Sequence, residues 1–351
     1  MERNPKEYGT GHDDGLEPLV PLDLSRLDSV DALLSAMAHT AFGGRRLGEA
    51  ADALETMVRD ESCFRVVTIS GAMTIAKQGL VLCEMIERGW VQAVVATGAL
   101  MTHGLVEGTG LLHFKHRPSM RDEELFRKGY NRVYDTIELE SNLDGTEKML
   151  ERVLSDVEPG TTLCSHDILA RIGRHLEEHA AGRAILRSAV ARGVPVYVPA
   201  FSDSELGLDF AIYNRRLQMK GRPPLAFDPF LDLEHFADQV RQHETLGIFT
   251  IGGGVPRNWA QQVAPYLEIS ADRLGTEEPA RRYRYAIRIC PEPEHWGGLS
   301  GCSYTEGVSW GKFVPESEGG RHVEVHADAT IAWPILVRAV IERTQAEQSK
   351  A

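Results

Sequence analysis

The sequence predicts an α/β fold in which a mostly parallel sheet is covered by helices, entered through an N-terminal helical arm. Two observations predict it. Six short apolar, β-rich runs alternate with amphipathic stretches of helical spacing, and such alternation implies parallel strands joined by helical crossovers, buried on both faces. Small and polar residues then gather behind five of the six runs. In an open parallel sheet the carboxyl ends of the strands form the ligand crevice, so a shared binding edge is expected there.

In chain order, residues 1–22 are polar, with Gly and Pro, and read as a mobile arm. Residues 23–60 turn helical: Leu33, Leu34, Met37 and Ala38, then Leu47, Ala50, Ala51, Leu54 and Met57, recur at three and four. Asp28 or Ser29 is placed to cap the first helix, and Gly43-Gly44 to separate it from the second. The six runs are 65–70 (RVVTIS), 93–97 (AVVAT), 194–200 (VPVYVPA), 247–251 (GIFTI), 285–290 (YAIRIC) and 322–326 (HVEVH). Helices are expected near 74–89, 146–157, 176–192, 232–245, 257–265 and 332–346. Residues 111–145 and 214–232 carry charge, Pro and weak periodicity and read as surface excursions, so that 23–351 form one large domain.

Composition narrows the function. The chain has 351 residues, 42% hydrophobic and 25% charged, with a formal net charge of −13. That balance suits a globular protein and argues against a broad nucleic-acid surface, which needs a basic footprint. No apolar run reaches the roughly 18–20 residues needed to span a bilayer, and the N-terminus has no apolar signal core, so a cytoplasmic protein without membrane contact is expected. The five cysteines are scattered and form no CxxC pair, which points to reduced thiols.

Among the strand-end turns, Gly252-Gly253-Gly254 lies between a strand and a helix. Backbone amides there can approach a pyrophosphate, although a tight turn explains the glycines nearly as well and no GxGxxG is present. Thr97-Gly98 and Ala327-Asp328-Ala329-Thr330 close two further runs. Asp203 is placed to read a ribose hydroxyl or an amine, and Asp209 to cap the next helix. In Glu306-Gly307-Val308-Ser309-Trp310-Gly311-Lys312, a lysine adjoins a large aromatic among glycines. Burial against Trp310 would lower the ammonium pKa and free an amine able to form a Schiff base. Glu306 would move a proton or hold a cationic substrate. A lysine lying over a core tryptophan is the plainer alternative. His113 and His116 stand three apart without a supporting ligand pattern, so no metal is expected.

EGVSWGK (306–312) resembles the lysine motif of deoxyhypusine synthases. The resemblance extends to IGGGVPRNW (251–259), VPVYVPAFSDSELG (194–207), HADATIAWPILV (326–337), GYNRVYDTIE (129–138) and AFGGRRLGEAADAL (41–54). It implies a Rossmann-like domain, a homotetramer with NAD at dimer interfaces, and a borrowed-hydride reaction. In that reaction an aminobutyl-type group passes from a polyamine, through an imine on a lysine, to a second amine with no net redox. By this resemblance Lys312 is the covalent lysine, with Trp310 and Glu306 as its pocket partners. Thr97, Gly98, Asp203, Gly252, Gly253, Gly254, Asp328 and Ala329 fall at cofactor positions, and Ser300 in the substrate region. Departures are informative. His103 stands where the family has a glutamate and Asn258 where it has a histidine. Leu208, beside Asp209, and Trp296 and Leu299 stand where it has aspartates. Loss of carboxylates removes charge partners for a doubly anchored polyamine. A small acceptor amine, as in homospermidine synthesis, is therefore expected over a protein lysine. NAD-dependent oxidation or cyclisation of a less cationic amine, and a non-catalytic regulatory paralogue, are the alternatives.

Overall fold

All six runs become strands of one sheet. The structure is a computed structural model that describes residues 3–158 and 160–348. Helices α1 (Val30–Ala38) and α2 (Phe42–Arg59) lead into β1 (Cys63–Ile69), α3 (Gly79–Glu87), β2 (Ala93–Ala96) and α4 (Gly98–Gly108). Next come β3 (Phe114–Lys115), α5 (Asp122–Arg127), β4 (Tyr130–Val133), β5 (Thr136–Leu139) and α6 (Glu140–Leu154). They are followed by β6 (Thr162–Leu163), α7 (Ser165–His179), α8 (Ile185–Ala191), β7 (Val196–Tyr197), α9 (Glu205–Met219), β8 (Ala226–Phe227) and α10 (Phe230–Arg241). The chain closes with β9 (Thr245–Ile251), α11 (Gly254–Leu274), β10 (Tyr283–Ile289), α12 (Tyr304–Ser309), β11 (Arg321–Val325) and α13 (Ala329–Gln348).

The main sheet runs β11-β10-β9-β1-β2-β7, and every pairing in it is parallel. The chain builds outward from β1 to β2 and β7, then returns to the other side of β1 for β9, β10 and β11. This is the doubly wound Rossmann order, whose direction reverses between β1 and β9. Alternate residues feed two cores. Val67, Ile69, Val94 and Phe249 face one; Phe64, Val66, Val95 and Ile248 face the other. Burial on both faces explains why these strands read as continuous apolar runs. Thr68 and Thr250 are buried in neighbouring strands and satisfy one another, Oγ1 to Oγ1, at 2.9 Å.

Several expectations move. Ser29 does cap α1, accepting from Ala32 N–H at 3.0 Å, but Gly43 and Gly44 lie inside α2 and the break falls at 39–41. The helix expected over 176–192 is two helices, α7 and α8, parted at 180–184 around Gly182. Helix α3 begins only at Gly79, after a turn through Lys77, a non-glycine residue with φ of 63°. Helix α11 runs on to Leu274 through Pro265. The supposed excursions hold structure: β3, β5 and β4 form a small antiparallel sheet, and 214–232 contains the end of α9, β8 and the start of α10. Asp209 caps nothing. It lies within α9, which Ser204 caps, and burial beside Glu147 and Glu205 pushes its carboxyl up to about 6. Met1 and Glu2 of the arm lie outside the described residues; Leu16, Leu19 and Val20 within it are exposed. All five cysteines are free. Among the described residues no helix is long and apolar enough to cross a membrane.

Candidate active site

The reversal between β1 and β9 sets the first half of the site. At the carboxyl ends of these strands, Ser70 N–H donates to Ile251 O (3.0 Å) and Gly252 N–H to Ile289 O (2.8 Å). Gly253 N–H donates to Ser70 Oγ at 2.9 Å. Gly252 and Gly254 adopt φ of 80° and 62°, the left-handed region that favours glycine. Gly253 is extended, and its requirement is space: a Cβ there would stand 2.6 Å from Ser300 Cα. Helix α11 starts at this turn without a side-chain cap, so its first amides are available to an anion.

The neighbouring strand ends add the other predicted cofactor residues. Thr97 accepts from Leu100 N–H (3.2 Å), capping α4, and its hydroxyl donates to Gly71 O (3.5 Å). A Cβ on Gly98 would stand 2.2 Å from Ser204 Oγ, so this turn too needs glycine for close approach. Asp203 is exposed in the turn after β7. Asp328 accepts from Thr330 N–H and Oγ1, both at 2.8 Å, at the start of α13, with Ala329 buried beside it. A cavity of about 900 Å³, lined in part by Ala72, Gln78, His113 and Asp328, opens over the same edge. Glycine turns and an uncapped helix start at the reversal fit the pyrophosphate of a dinucleotide.

The second half of the site is built around Lys312. Ser303 caps α12 by accepting from Glu306 N–H at 3.1 Å, and Gly311, at φ 69°, reverses the chain after it. Lys312 is held on both sides: its N–H donates to Gly307 O (3.1 Å), its carbonyl accepts from Tyr283 N–H (2.9 Å), and Phe313 behind it is buried. The half-buried side chain donates from Nζ to Asn258 Oδ1 at 3.1 Å. Burial lowers the ammonium pKa, and Arg257 lowers it further; Cys302 and Glu306 act the other way.

Trp310, expected to bury the lysine, is itself 64% exposed, and Lys312 Nζ rests instead on Asn258 of α11. Trp296 is 70% exposed, and Glu306 is exposed on the first turn of α12. Asn258, Ser300, Gly253 and Lys312 are brought together, whereas His103 belongs elsewhere. It lies on α4 in a buried group with Glu138 of β5, which accepts from His103 Nδ1 at 3.1 Å and faces His113 Nε2 at 2.6 Å. Asn142 Nδ2 and Leu139 N–H donate to the other Glu138 oxygen. Burial alone would raise this carboxyl; the hydrogen bonds from His103, His113 and Asn142 outweigh it and hold Glu138 at about 2. Three such side chains suggest a metal, but these are hydrogen-bond separations. Lys77 Nζ lies 2.6 Å from His113 Nδ1 and 2.9 Å from Glu107, which leaves the proton on His113 Nε2, where a metal would need a lone pair. His116 does not join the group and instead approaches Met120 O. A second cluster, Cys164 with His166 and Asp167, forms a capping box at α7, and burial pushes its thiol up.

Sequence reading gives no role to Glu138, Arg257 or Arg288. Arg257 and Glu138 do lie inside resemblance segments (251–259 and 129–138) and Arg288 inside a strand run (285–290), but nothing local marks any of the three as buried or as a partner of a residue far along the chain.

Strand order, glycine turn and sheltered lysine define the class: a Rossmann-like α/β protein with its ligand edge at the reversal point. Comparison with known proteins is more specific. The deoxyhypusine synthase family profile matches residues 32–340. "Probable deoxyhypusine synthase 2" of Methanosarcina acetivorans is 33% identical over 329 residues, covering 93% of this chain and 90% of that one. The "Deoxyhypusine synthase-like protein" of Chlorobaculum parvum is 29% identical, covering 91% and 88%. A crystal structure from Entamoeba histolytica described under the same family name shares the fold, with a TM-score of 0.60, 12% identity and coverage of 92% and 97%. The chain belongs to the deoxyhypusine synthase family.

Proposed function

We propose that this protein is an NAD-dependent transferase that moves an aminoalkyl group from a polyamine or related amine to an acceptor amine, through an imine on Lys312, with no net redox. The observation that carries the reading is Lys312 itself, held by backbone on both sides, half-buried, and with its ammonium pKa lowered. NAD would supply the hydride acceptor for the donor amine and the hydride donor for the product, so that no net redox results. Thr97, Gly98, Asp203, Gly252, Gly253, Gly254, Asp328 and Ala329 would hold it.

The protein's own part is transimination. The uncharged Lys312 nitrogen attacks the imine carbon of the oxidised donor, the smaller amine leaves, and the aminoalkyl group stays on Lys312. An acceptor amine then attacks the same carbon and frees the lysine. Glu306, beside Lys312, moves the protons, and Asn258 aims Nζ. Trp296 and Leu299, apolar and exposed, favour a less cationic substrate and a small acceptor amine over a protein lysine. Exposed Trp296, Leu299 and Trp310 also favour a homotetramer whose site is completed at a dimer interface.

Incubation with NAD and spermidine or putrescine, followed by borohydride and mass spectrometry of the peptide containing Lys312, tests the reading. An adduct in the parent and none in Lys312→Ala, with NAD affinity preserved, is the expected result. Normal turnover by Lys312→Ala refutes it. Steady accumulation of reduced cofactor would favour the second reading, net oxidation or cyclisation of the amine, which the apolar Trp296 and Leu299 make the natural competitor. No adduct with any amine would leave a regulatory paralogue.

A further inference from the structure

Lys77 holds a backbone conformation that lysine rarely takes. Its φ is 63°, and of the three non-glycine residues with positive φ among the described residues, Lys77 and Tyr134 line the same cavity, the space of about 900 Å³ over the sheet edge. The turn is fixed by its own backbone: Lys77 N–H donates to Thr74 O at 3.0 Å and Gln78 N–H to Met73 O at 2.9 Å. Left-handed backbone is costly for a residue with a Cβ, and such strain collects where a side chain must be aimed.

This turn brings Lys77 Nζ to 2.6 Å from His113 Nδ1 and 2.9 Å from Glu107. On the far side of the imidazole, His113 Nε2 faces Glu138 at 2.6 Å, and both of those side chains are 1% exposed. Asn142 Nδ2 and Leu139 N–H hold the other Glu138 oxygen. An ammonium has only protons to offer, so the His113 lone pair lies at Nδ1 and its proton at Nε2. Amine, imidazole and carboxylate thus stand in line, a nucleophile beside a base that a third group orients. The Lys77 side chain is 48% exposed and lines both the large cavity and a neighbouring one of about 400 Å³, so the lysine end of the line is open.

Gln78, the next residue, limits what can sit there. Its Nε2 donates to Thr330 O at 2.6 Å, which fixes the amide, and its Oε1 is a buried acceptor with no hydrogen-bond partner. Gln78 lines the large cavity and is 9% exposed. An unanswered buried acceptor is costly, and an occupant carrying an O–H or N–H would satisfy it.

We propose that Lys77 is an amine nucleophile, with His113 as its base and Glu138 orienting that base, and that it forms an imine with a hydroxy- or amino-aldehyde held in the large cavity. The Lys77 ammonium passes a proton to His113 Nδ1, and the imidazolium is held against Glu138. The freed electron pair forms the N–C bond as the carbonyl π pair moves to oxygen, which takes the proton from Nδ1. Loss of water leaves a protonated C=N bond, so ammonium and aldehyde become iminium and water with no change of oxidation level. The charged and titratable groups facing this line are Glu107 and His103 from α4 and Glu138 from β5. Glu107 favours the ammonium and Glu138 the imidazolium. The assignment is independent of Lys312 and of the transfer reaction.

The test needs no cofactor. The full-length protein is treated across a pH series with glycolaldehyde or propanal and cyanoborohydride, which reduces the imine as it forms. Alkylation of Lys77 is compared by mass spectrometry with that of exposed Lys128 and Lys220 in the same digest. Near neutral pH Lys77 should react faster than both, and its lead should be larger with glycolaldehyde than with propanal. His113→Asn should slow Lys77 on the order of a hundredfold and move the rise of its pH profile upward, which a residue that merely held the turn would not do. His113→Gln serves as a second variant should the asparagine fail to fold, with folding checked by circular dichroism. Gln78→Met should erase the preference for glycolaldehyde. A folded His113 variant whose Lys77 reacts like the parent's overturns the proposal. So does a parent Lys77 no faster than Lys128 and Lys220, which decides the matter alone if neither variant folds. An equal lead with both aldehydes in the parent refutes the ligand class.

Discussion

Replacing Glu138 with Gln removes one charge from a buried group and leaves its shape intact. Glu138 accepts hydrogen bonds from Asn142 and Leu139 and lies against His103 and His113, with its side chain 1% exposed. Holding this carboxyl at about 2 against an ordinary 4.5 corresponds to about 3 kcal/mol, at 1.36 kcal/mol per pH unit. Because the folded-state value is the lower one, that contribution is complete above pH 4.5, shrinks as the pH falls from 4.5 towards 2, and is absent below. Glu138→Gln should therefore lose about 3 kcal/mol at neutral pH. Below pH 4.5 the gap to the parent should narrow, since the parent surrenders what the variant never had. Urea unfolding followed by circular dichroism at neutral pH and at steps through the acid range reads both quantities. A variant within about 0.5 kcal/mol of the parent at neutral pH, or a gap that does not narrow in acid, would refute the account of this cluster. So would zinc that copurifies with the parent and is lost from the variant.

Two other perturbations probe the site. Gly253→Ala places a methyl 2.6 Å from Ser300 Cα and 2.7 Å from its Cβ; the forced shift should cost about 1–3 kcal/mol in urea unfolding and weaken NAD in a fluorescence titration, and an alanine variant with unchanged NAD affinity would detach this turn from the cofactor. Trp296→Asp combined with Leu299→Asp alters two exposed positions, so stability should change by less than about 1 kcal/mol while turnover of spermidine rises; no gain in turnover would remove the link between the apolar wall and substrate choice.

Much of the framework was legible in the residues. The runs at 65–70 and 247–251 are apolar on both faces because both faces of β1 and β9 are buried, and period-two alternation would have been misleading there. The glycine turn was legible because the positive φ at Gly252 and Gly254 leaves few residue choices. The single-helix reading of 176–192 missed the break because helical spacing continues across Gly182 and 180–184 interrupts it only through local backbone conformation. Helix α4 was hidden in Thr97-Gly98-Ala99, since a glycine needed for close approach to Ser204 imitates a loop. The surroundings of Lys312 lay beyond reach for a different reason. Trp310 adjoins the lysine in sequence, yet the groups that govern its nitrogen, Arg257, Asn258 and Cys302, arrive from another helix and another loop. Glu138 and His103 likewise meet only through folding.

Helix α11 begins in the glycine turn and presents Arg257, Asn258 and Trp259 in succession. A helix turns about 100° per residue, so consecutive side chains leave in three directions. Here they reach the Ser300–Cys302 carbonyls, the lysine nitrogen, and the rings of Tyr197 and Phe236 at 5.6 and 5.2 Å. One short stretch of backbone is therefore a common mount for the uncapped amides of the helix start, the rest of the Lys312 nitrogen and part of the interior packing. Any tilt imposed at its first turn is delivered to all three together, so the lysine's aim cannot be retuned without disturbing the seat behind it.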